Sequence, residues 1–400
     1  MRVVHLTSSF PRHEGDPNGP FIAELVAAQR AAGMEPMVVA PHAPGLATQD
    51  TIRGVPVRRF RYAPATAEVL AYRGGLLSTV RRPTGALALG PFLAAFSRAA
   101  RRAVREWNAD VVHAHWWLPA GLAAVRAAER THTPVVITCH GSDVGLARRA
   151  GFNRLASSVL SRAALVAAVS EALAAELRAV LPGVDPSVLR MPFRGWSEPR
   201  VPPPNHPPLH LVAVGRLMPE KAFDLLVAAV AALVAEGRAV HLSIVGEGPL
   251  AEPLRAQVRR SGVEDVVTFA GSVSRDGLRQ AIDSAHAVVV PSRREGLGLV
   301  ALDAMDRGRP VVATAVGGLP ETLLAGVESP THDIRPPAGG LDTPAGILVR
   351  PNDVAALAQA LRRLPRPGVT STSGALASHD PVAVAADHLT AYRAVARGHR

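Results

Sequence analysis

Three short strings hold the residue types that phosphate chemistry asks for. Gly215-Arg216-Leu-Met-Pro-Glu-Lys221-Ala-Phe-Asp224 places two cations close together, and Lys221 is the sole lysine among 44 basic residues, the other 43 being arginine. A composition drifted so far toward arginine would lose a merely solvated lysine, so position 221 reads as one that needs a compact ammonium. Such a point charge meets a single phosphate oxygen in a tight site, whereas the planar guanidinium wants a two-pronged approach. The second string is Glu295-Gly296-Leu297-Gly298-Leu299-Val-Ala-Leu-Asp303-Ala-Met, followed further on by Gly317-Gly-Leu-Pro-Glu321. Its glycines lie where the apolar run Ala287 to Pro291 gives way to a helix, so the amides of this turn and the positive end of the helix can hold phosphate. Glu295 stands in the loop and Asp303 two helical turns further along, two acids able to face one ligand. The third string, His140-Gly-Ser-Asp143, closes the apolar run Val135 to Cys139. An imidazole at a strand's carboxyl end is available to a ligand, and Gly141 lets backbone approach closely.

Weaker signals surround these. In His113-Ala-His115-Trp116-Trp117 the two histidines share one face of a strand, but without a third regularly spaced ligand no metal centre is expected. The two tryptophans read either as an acceptor-side wall for stacking or as core. Gly15-Asp-Pro-Asn-Gly19-Pro-Phe21 puts proline at a first helical turn, so Gly19 serves a loop-to-helix cap or a close approach to ligand. Gly246-Glu-Gly248 and Gly271-Ser-Val273 end further apolar runs, either as plain turns or as ligand loops.

The elements that must position these strings alternate along the chain. Val3 to Thr7, Pro36 to Ala40, Asp110 to Ala114, Pro134 to Cys139 and Leu165 to Val169 read as buried strands. Phe21 to Ala32, Leu93 to Trp107 and Gly121 to Arg130 read as the helices between them. This alternation predicts an α/β fold with a parallel sheet flanked by helices. Residues 198 to 208, rich in proline, read as an extended linker. The pattern then restarts with strands at Leu209 to Val214, Val240 to Val245, Val266 to Ala270, Ala287 to Val290 and Pro310 to Ala313. The expected domains are therefore 1–197 and 209–380, two doubly wound, Rossmann-like units facing across a cleft at the carboxyl ends of their strands. Leu364 to Asp380 reads as a second flexible stretch, and Pro381 to Arg397 as a terminal helix packing back on the first domain.

Four hundred residues with 48% hydrophobic but only 4% aromatic content predict cores of Ala, Val and Leu. A lone Cys139 excludes an internal disulfide. No signal peptide and no membrane-length apolar run is read, so the expected location is cytoplasmic. A net charge of +11 favours an anionic partner, but the arginines are scattered rather than blocked. Nucleic acid is not expected, and loose docking to an anionic membrane is.

Taken together, the strings around Lys221, Glu295 and His140 resemble the retaining, nucleotide-sugar-dependent glycosyltransferases of family 4, which have the two-domain GT-B fold. The resemblance covers nearly the whole chain. It implies that Glu295 contacts the donor sugar hydroxyls, that the amides of Gly296, Leu297, Gly298 and Leu299 meet the diphosphate, and that Asp303 meets the ribose hydroxyls. It assigns Arg216 and Lys221, after Gly215, to neutralising the diphosphate. It places His140 and Asp143 beside the donor sugar and Gly19 near the diphosphate or the acceptor. Gly246, Gly248 and Val273 fall around the base and ribose. Front-face attack, with the leaving phosphate taking the acceptor proton, needs neither a protein base nor a metal. The expected co-substrate is a nucleotide diphosphate sugar, a UDP-sugar favoured, with no cofactor. The chain departs from the family at Asp303, where glutamate is usual and the reach is shorter by about 1.5 Å, and at Ala222, where glycine is common. Met191-Pro-Phe-Arg-Gly-Trp196 replaces an asparagine-glycine turn, and Gly326 to Pro344 is longer than the family's turn. A 2-epimerase, a phosphorylase with pyridoxal phosphate on Lys221, and a non-catalytic nucleotide-binding subunit remain as alternatives.

Overall fold

The computed structural model describes residues 1–16, 18–72, 79–80, 83–327, 334–364 and 373–399. It divides into two units, Met1–Arg194 with His379–Arg400, and Gly195–Ser378.

The first unit holds an eight-stranded sheet of β1 (Arg2–Leu6), β2 (Glu35–Pro41), β3 (Gln49–Ile52), β4 (Val55–Phe60), β5 (Val111–His115), β6 (Val135–Cys139), β7 (Leu165–Ala168) and β8 (Ser187–Val188). Their order is β3-β4-β2-β1-β5-β6-β7-β8, parallel except for the hairpin β3–β4. The central strands are buried on both faces because helices cover them. β5 and β6 are buried along their whole length. The order reverses between β1 and β5, which brings the loops after β1, β5 and β6 to one end of the sheet, the end at which open α/β sheets bind ligands. The C-terminal helix Pro381–Gly398 starts from a side-chain cap, Asp380 accepting from the amides of Val382 and Ala383. It packs on the helix Pro20–Ala31, with Ala385 and Tyr392 in a core shared with Val3, Met34, Val111 and Val136.

The second unit holds β9 (Leu209–Val214), β10 (Val240–Val245), β11 (Val267–Gly271), β12 (Ala287–Val290), β13 (Val311–Thr314), β14 (Leu341–Thr343) and β15 (Gly346–Val349). Their order is β11-β10-β9-β12-β13-β15-β14, with only β14 antiparallel. The switch point here falls between β9 and β12, so the strings that follow these two strands emerge side by side. The apolar helix Phe223–Ala235 fills the core against β9 and β10 with Phe223, Leu226, Val230 and Leu233.

The proline-rich segment, read as an extended linker, is hydrogen-bonded to this second unit. Arg307 forms a two-pronged pair with Asp283 and donates to the carbonyls of Glu198 and Pro199. Arg309 donates to the carbonyls of Val201 and Pro202. Both guanidinium groups are buried, each residue 1% exposed. The carbonyls of this exposed segment, which have no sheet or helix partner, in turn satisfy the donors of the two buried guanidinium groups.

Residues 365–372 of the second expected stretch lie outside the described residues, and its remainder includes the helix Ser373–Ser378. Residues 328–333 of the long 326–344 segment and Pro17 of the 15–21 loop also lie outside them. Among the described residues no helix is long and apolar enough to cross a membrane.

Candidate functional site

In the second unit, the loops after β9 and β12 are fastened to each other by charge. Lys221 Nζ lies 2.6 Å from Glu295 Oε2, and Ser292 Oγ donates to the same oxygen over 3.1 Å. Beside this pair, Arg293 grips Asp224 in a two-pronged contact of 2.8 and 2.6 Å and donates to the carbonyl of Pro219. The amide of Arg293 also donates to the carbonyl of Glu220. The guanidinium beside Asp224 holds that carboxyl below its usual range. Sequence reading did not select Ser292 or Arg293. Their signal was present in the run Ser292-Arg-Arg-Glu295, which directly precedes the glycine turn.

Backbone fit fixes the turn. The Gly317-Gly318 turn, which follows β13 and leads into the helix Leu319–Leu323, presses against it so closely that a Cβ on Gly317 would sit 1.7 Å from the Glu295 carbonyl oxygen. Gly298 caps the helix Leu299–Asp306 in the left-handed region, at φ 82°. The loop after β10 closes on the β9 loop in the same manner, because Gly246 has φ 133° and its Cβ would meet the Gly215 carbonyl oxygen at 2.0 Å. Leu217 donates to the Glu247 carbonyl over 2.9 Å. Gly215, Gly246 and Gly248 thus belong to one group of interlocked loops. Val273 is half-buried against Val212, Val245 and Ala285. Arg216 is exposed and makes no ion pair among the described residues.

Asp303 is buried on the helix Leu299–Asp306. Burial, reinforced by the Asp306 carboxylate and opposed by Arg275, lifts its pKa to about 7. Nearby, Asp306 accepts from the amide of Trp196 over 2.9 Å, and the Arg275 guanidinium lies 4.1 Å above the Trp196 ring. The unusual Trp196 of the sequence therefore packs in the neighbourhood of the second acid. A carboxyl whose pKa is raised on folding penalises the folded state once the unfolded chain has ionised. That penalty grows as pH rises from about 4 toward 7 and is complete above. We therefore expect Asp303→Asn to match the parent at pH 4 and to exceed it in stability by a few kcal/mol at pH 8. Urea midpoints across that range check this, and a stability difference that does not vary with pH would remove the explanation.

In the first unit, the sequence-selected residues divide. His140 stands at the end of β6, partly exposed, with its Nε2 3.1 Å from Nδ1 of His115. Its ring packs on Trp116 and Phe21, with centroids 4.7 and 5.2 Å away. Asp143 is buried and turned inward. Its Oδ1 accepts from the amides of His140 and Gly141 at 3.0 and 2.9 Å, so the carboxylate holds the turn that presents His140. Burial nonetheless pushes its pKa up. Trp117 is core rather than wall, fully buried with its indole N–H donating to the Asp143 carbonyl. Trp116, at φ 68°, is the ring that faces His140. Gly19 caps the helix Pro20–Ala31 at φ 64°, and a Cβ there would lie 2.4 Å from the Ser9 carbonyl oxygen.

The third histidine that the local pattern lacks is supplied from β1. The β1–β5 register sets His5 opposite His113, so His5, His113 and His115 share one buried face, with ligand atoms within 4.8 Å of one another. All six ring nitrogens already have protein partners: His5 with His115 and Gln29, His113 with Tyr392 and Thr138, and His115 with His5 and His140.

Comparison with known proteins identifies the family. Residues 19–191 match the model of Glycosyltransferase Family 4, and residues 208–366 that of Glycosyl transferases group 1. A glycogen synthase of Mycobacterium tuberculosis is 31% identical over 64% of this chain, which spans 60% of that relative's length. A D-inositol 3-phosphate glycosyltransferase of Mycobacterium avium is 31% identical over 82% of this chain and 81% of its own. The structure of a sucrose-phosphate synthase from Thermosynechococcus elongatus superposes with a TM-score of 0.73 over 99% of both chains, at 23% identity. The chain belongs to glycosyltransferase family 4, and its fold is of the GT-B class.

Proposed function

We propose that this protein moves a sugar from a nucleotide diphosphate sugar, a UDP-sugar favoured, to a hydroxyl acceptor, with retention of anomeric configuration and without a metal ion. The observation that carries this reading is the Lys221–Glu295 pair set at the switch point beside a glycine-locked turn. In the reaction the bond from the anomeric carbon to the diphosphate breaks, and the bond to the acceptor oxygen forms on the same face. The acceptor proton passes to the leaving phosphate. Negative charge develops on the diphosphate, where Arg216, Lys221 and the amides of Gly296 to Leu299 stabilise it. Glu295 holds the sugar hydroxyls, Asp303 the ribose, and Gly246, Gly248 and Val273 border the base. His140 meets the sugar, with Asp143 as its positioning residue, and Gly19 serves the diphosphate or the acceptor.

The test separates the two acids. Glu295→Ala is expected to lower turnover while leaving the affinity for free UDP within about twofold, whereas Asp303→Ala is expected to weaken that affinity at least about tenfold. Calorimetry with UDP and a donor-hydrolysis assay report the two quantities, and equal loss of UDP binding in both variants would sink the division of roles.

The same proposal places the protein at the cytoplasmic face of an anionic membrane. Arg98, Arg101, Arg102 and Arg105 recur at helical spacing on the helix Pro83–Trp107, with Glu106 the acid beside them. Sedimentation with phosphatidylglycerol vesicles at low salt is expected to exceed that with phosphatidylcholine vesicles and to fall on adding salt. Equal sedimentation with both lipids would remove the membrane role.

A further inference from the structure

An unbroken chain of side-chain hydrogen bonds runs from His140 through the core of the first unit to its C-terminal helix, and its protons can be counted. Gln29 Nε2 donates to the Tyr392 hydroxyl over 2.9 Å, which leaves Gln29 Oε1 to accept from His5 Nε2 at 2.8 Å. A neutral imidazole carries one proton. Having given it to Gln29, His5 can only accept at Nδ1, and its partner there is His115 Nε2 at 3.1 Å. His115 has then used its own proton, so its Nδ1 accepts from His140 Nε2 at 3.1 Å. The other branch runs in the same sense: the Tyr392 hydroxyl donates to His113 Nδ1 at 2.7 Å, and His113 Nε2 donates to Thr138 Oγ1 at 2.8 Å.

Burial keeps these rings neutral. It lowers the pKa of His5 to about 3, holds His113 and His115 well below the ordinary value, and lowers that of the less enclosed His140 as well. The variable at His140 is therefore which nitrogen carries the proton. Its Nδ1 makes no hydrogen bond among the described residues, and the ring lies partly exposed.

We infer that the chain His115–His5–Gln29–Tyr392 fixes His140 as the Nε2–H tautomer, leaving Nδ1 as a hydrogen-bond acceptor for a hydroxyl of the transferred sugar. Gln29 is the residue that sets the sense, because turning its amide end for end would reverse every proton in the chain and make Nδ1 a donor. Thr138 has a hydroxyl that can give or take, so it does not choose. Gln29, His5, His115 and Tyr392 are positioning residues. Their structural effect on His140 stands alone, and only its use by a sugar rests on the function proposed above.

The two parts are tested separately. In the full-length protein labelled with 15N-histidine, long-range 15N–1H correlation spectra, assigned with His140→Asn, are expected to show His140 protonated at Nε2 alone. Gln29→Met, which removes the acceptor, is expected to give a mixture of tautomers at His140. Gln29→Glu, which keeps an acceptor toward His5, is expected to restore the single form. A parent His140 that is mixed or protonated at Nδ1 would overturn the inference without any variant having to fold. So would a His140 signal that Gln29→Met leaves unmoved, or Zn2+ binding by the parent that shifts the His5, His113 and His115 rings together. With donor sugar, Gln29→Met should lower kcat about tenfold at unchanged UDP affinity, with Gln29→Glu recovering most of it. If the tautomers behave as expected but no donor sugar binds, it is the proposed function that fails.

Discussion

Lys221→Arg is expected to cost about a hundredfold in turnover while the protein stays folded, although the rest of the chain uses arginine for every other cation. The lysine stem lies over Gly215, where a Cβ would come within 3.5 Å of it, and its ammonium reaches one oxygen of Glu295 end-on. A guanidinium in that place would take both oxygens of Glu295 in the planar, two-pronged geometry that Arg293 already makes with Asp224. The acid proposed to hold the sugar would then be tied up, and the cation would be turned away from the diphosphate. One well-placed charge contact to a transition state is worth about 3 kcal/mol, which is why the expected loss is large. Steady-state kinetics with a melting curve as control decide it. Activity within about threefold of the parent would show that the lone lysine has no special task.

Gly317→Ala is expected to be the most damaging small substitution in the second unit. Its residue sits at φ +54° and its new methyl would lie 1.7 Å from a backbone oxygen, which no rotamer change can relieve. Left-handed backbone costs a non-glycine residue about 1–2 kcal/mol and overpacking about 1–3 kcal/mol more. At about 2–4 °C per kcal/mol, the melting temperature should fall by roughly 4–20 °C. Gly326→Ala separates the two costs, since Gly326 has φ +86° with nothing within 4 Å of its Cβ position. Equal, small losses in both variants would mean that the Glu295 turn yields easily, contrary to the locked geometry described above.

What could be read from the sequence follows from how locally each feature is encoded. Strands β9, β10 and β12 match their expected ranges end to end: β12, buried along its whole length, is apolar throughout, while β9 and β10 keep a mainly apolar run in which His210, His241 and Ser243 take the half-buried positions. The hairpin β3–β4 escaped notice: Gln49-Asp-Thr-Ile is polar and exposed at the sheet's edge, and Pro56 interrupts the partner. The charged strings at 215–224 and 295–303 were visible as chemistry, but their pairing depends on β9 and β12 being neighbours, which topology alone decides. Asp143 looked like a ligand because a carboxylate after His-Gly-Ser gives no sign of which way it points, and the structure turns it onto two amides. His5 lies 108 positions before its partner His113, so no spacing rule reaches it. The burial of Arg307 and Arg309 was equally hidden, since it depends on proline-rich backbone folding back to offer carbonyls.

The ion pair between Lys221 and Glu295 also makes the molecule unusually simple to interrogate with reagents. Lys221 carries the sole ε-amino group in the sequence, on a side chain that is 28% exposed. Reductive methylation or acylation of side-chain amines can therefore modify one position only, and peptide mass mapping would read its occupancy without any engineered label. Cleavage after lysine has the same single address, between the 215–221 loop and the helix that begins at Phe223. A compound that shields this address from both reagents has found the loop cluster, whatever its chemical identity.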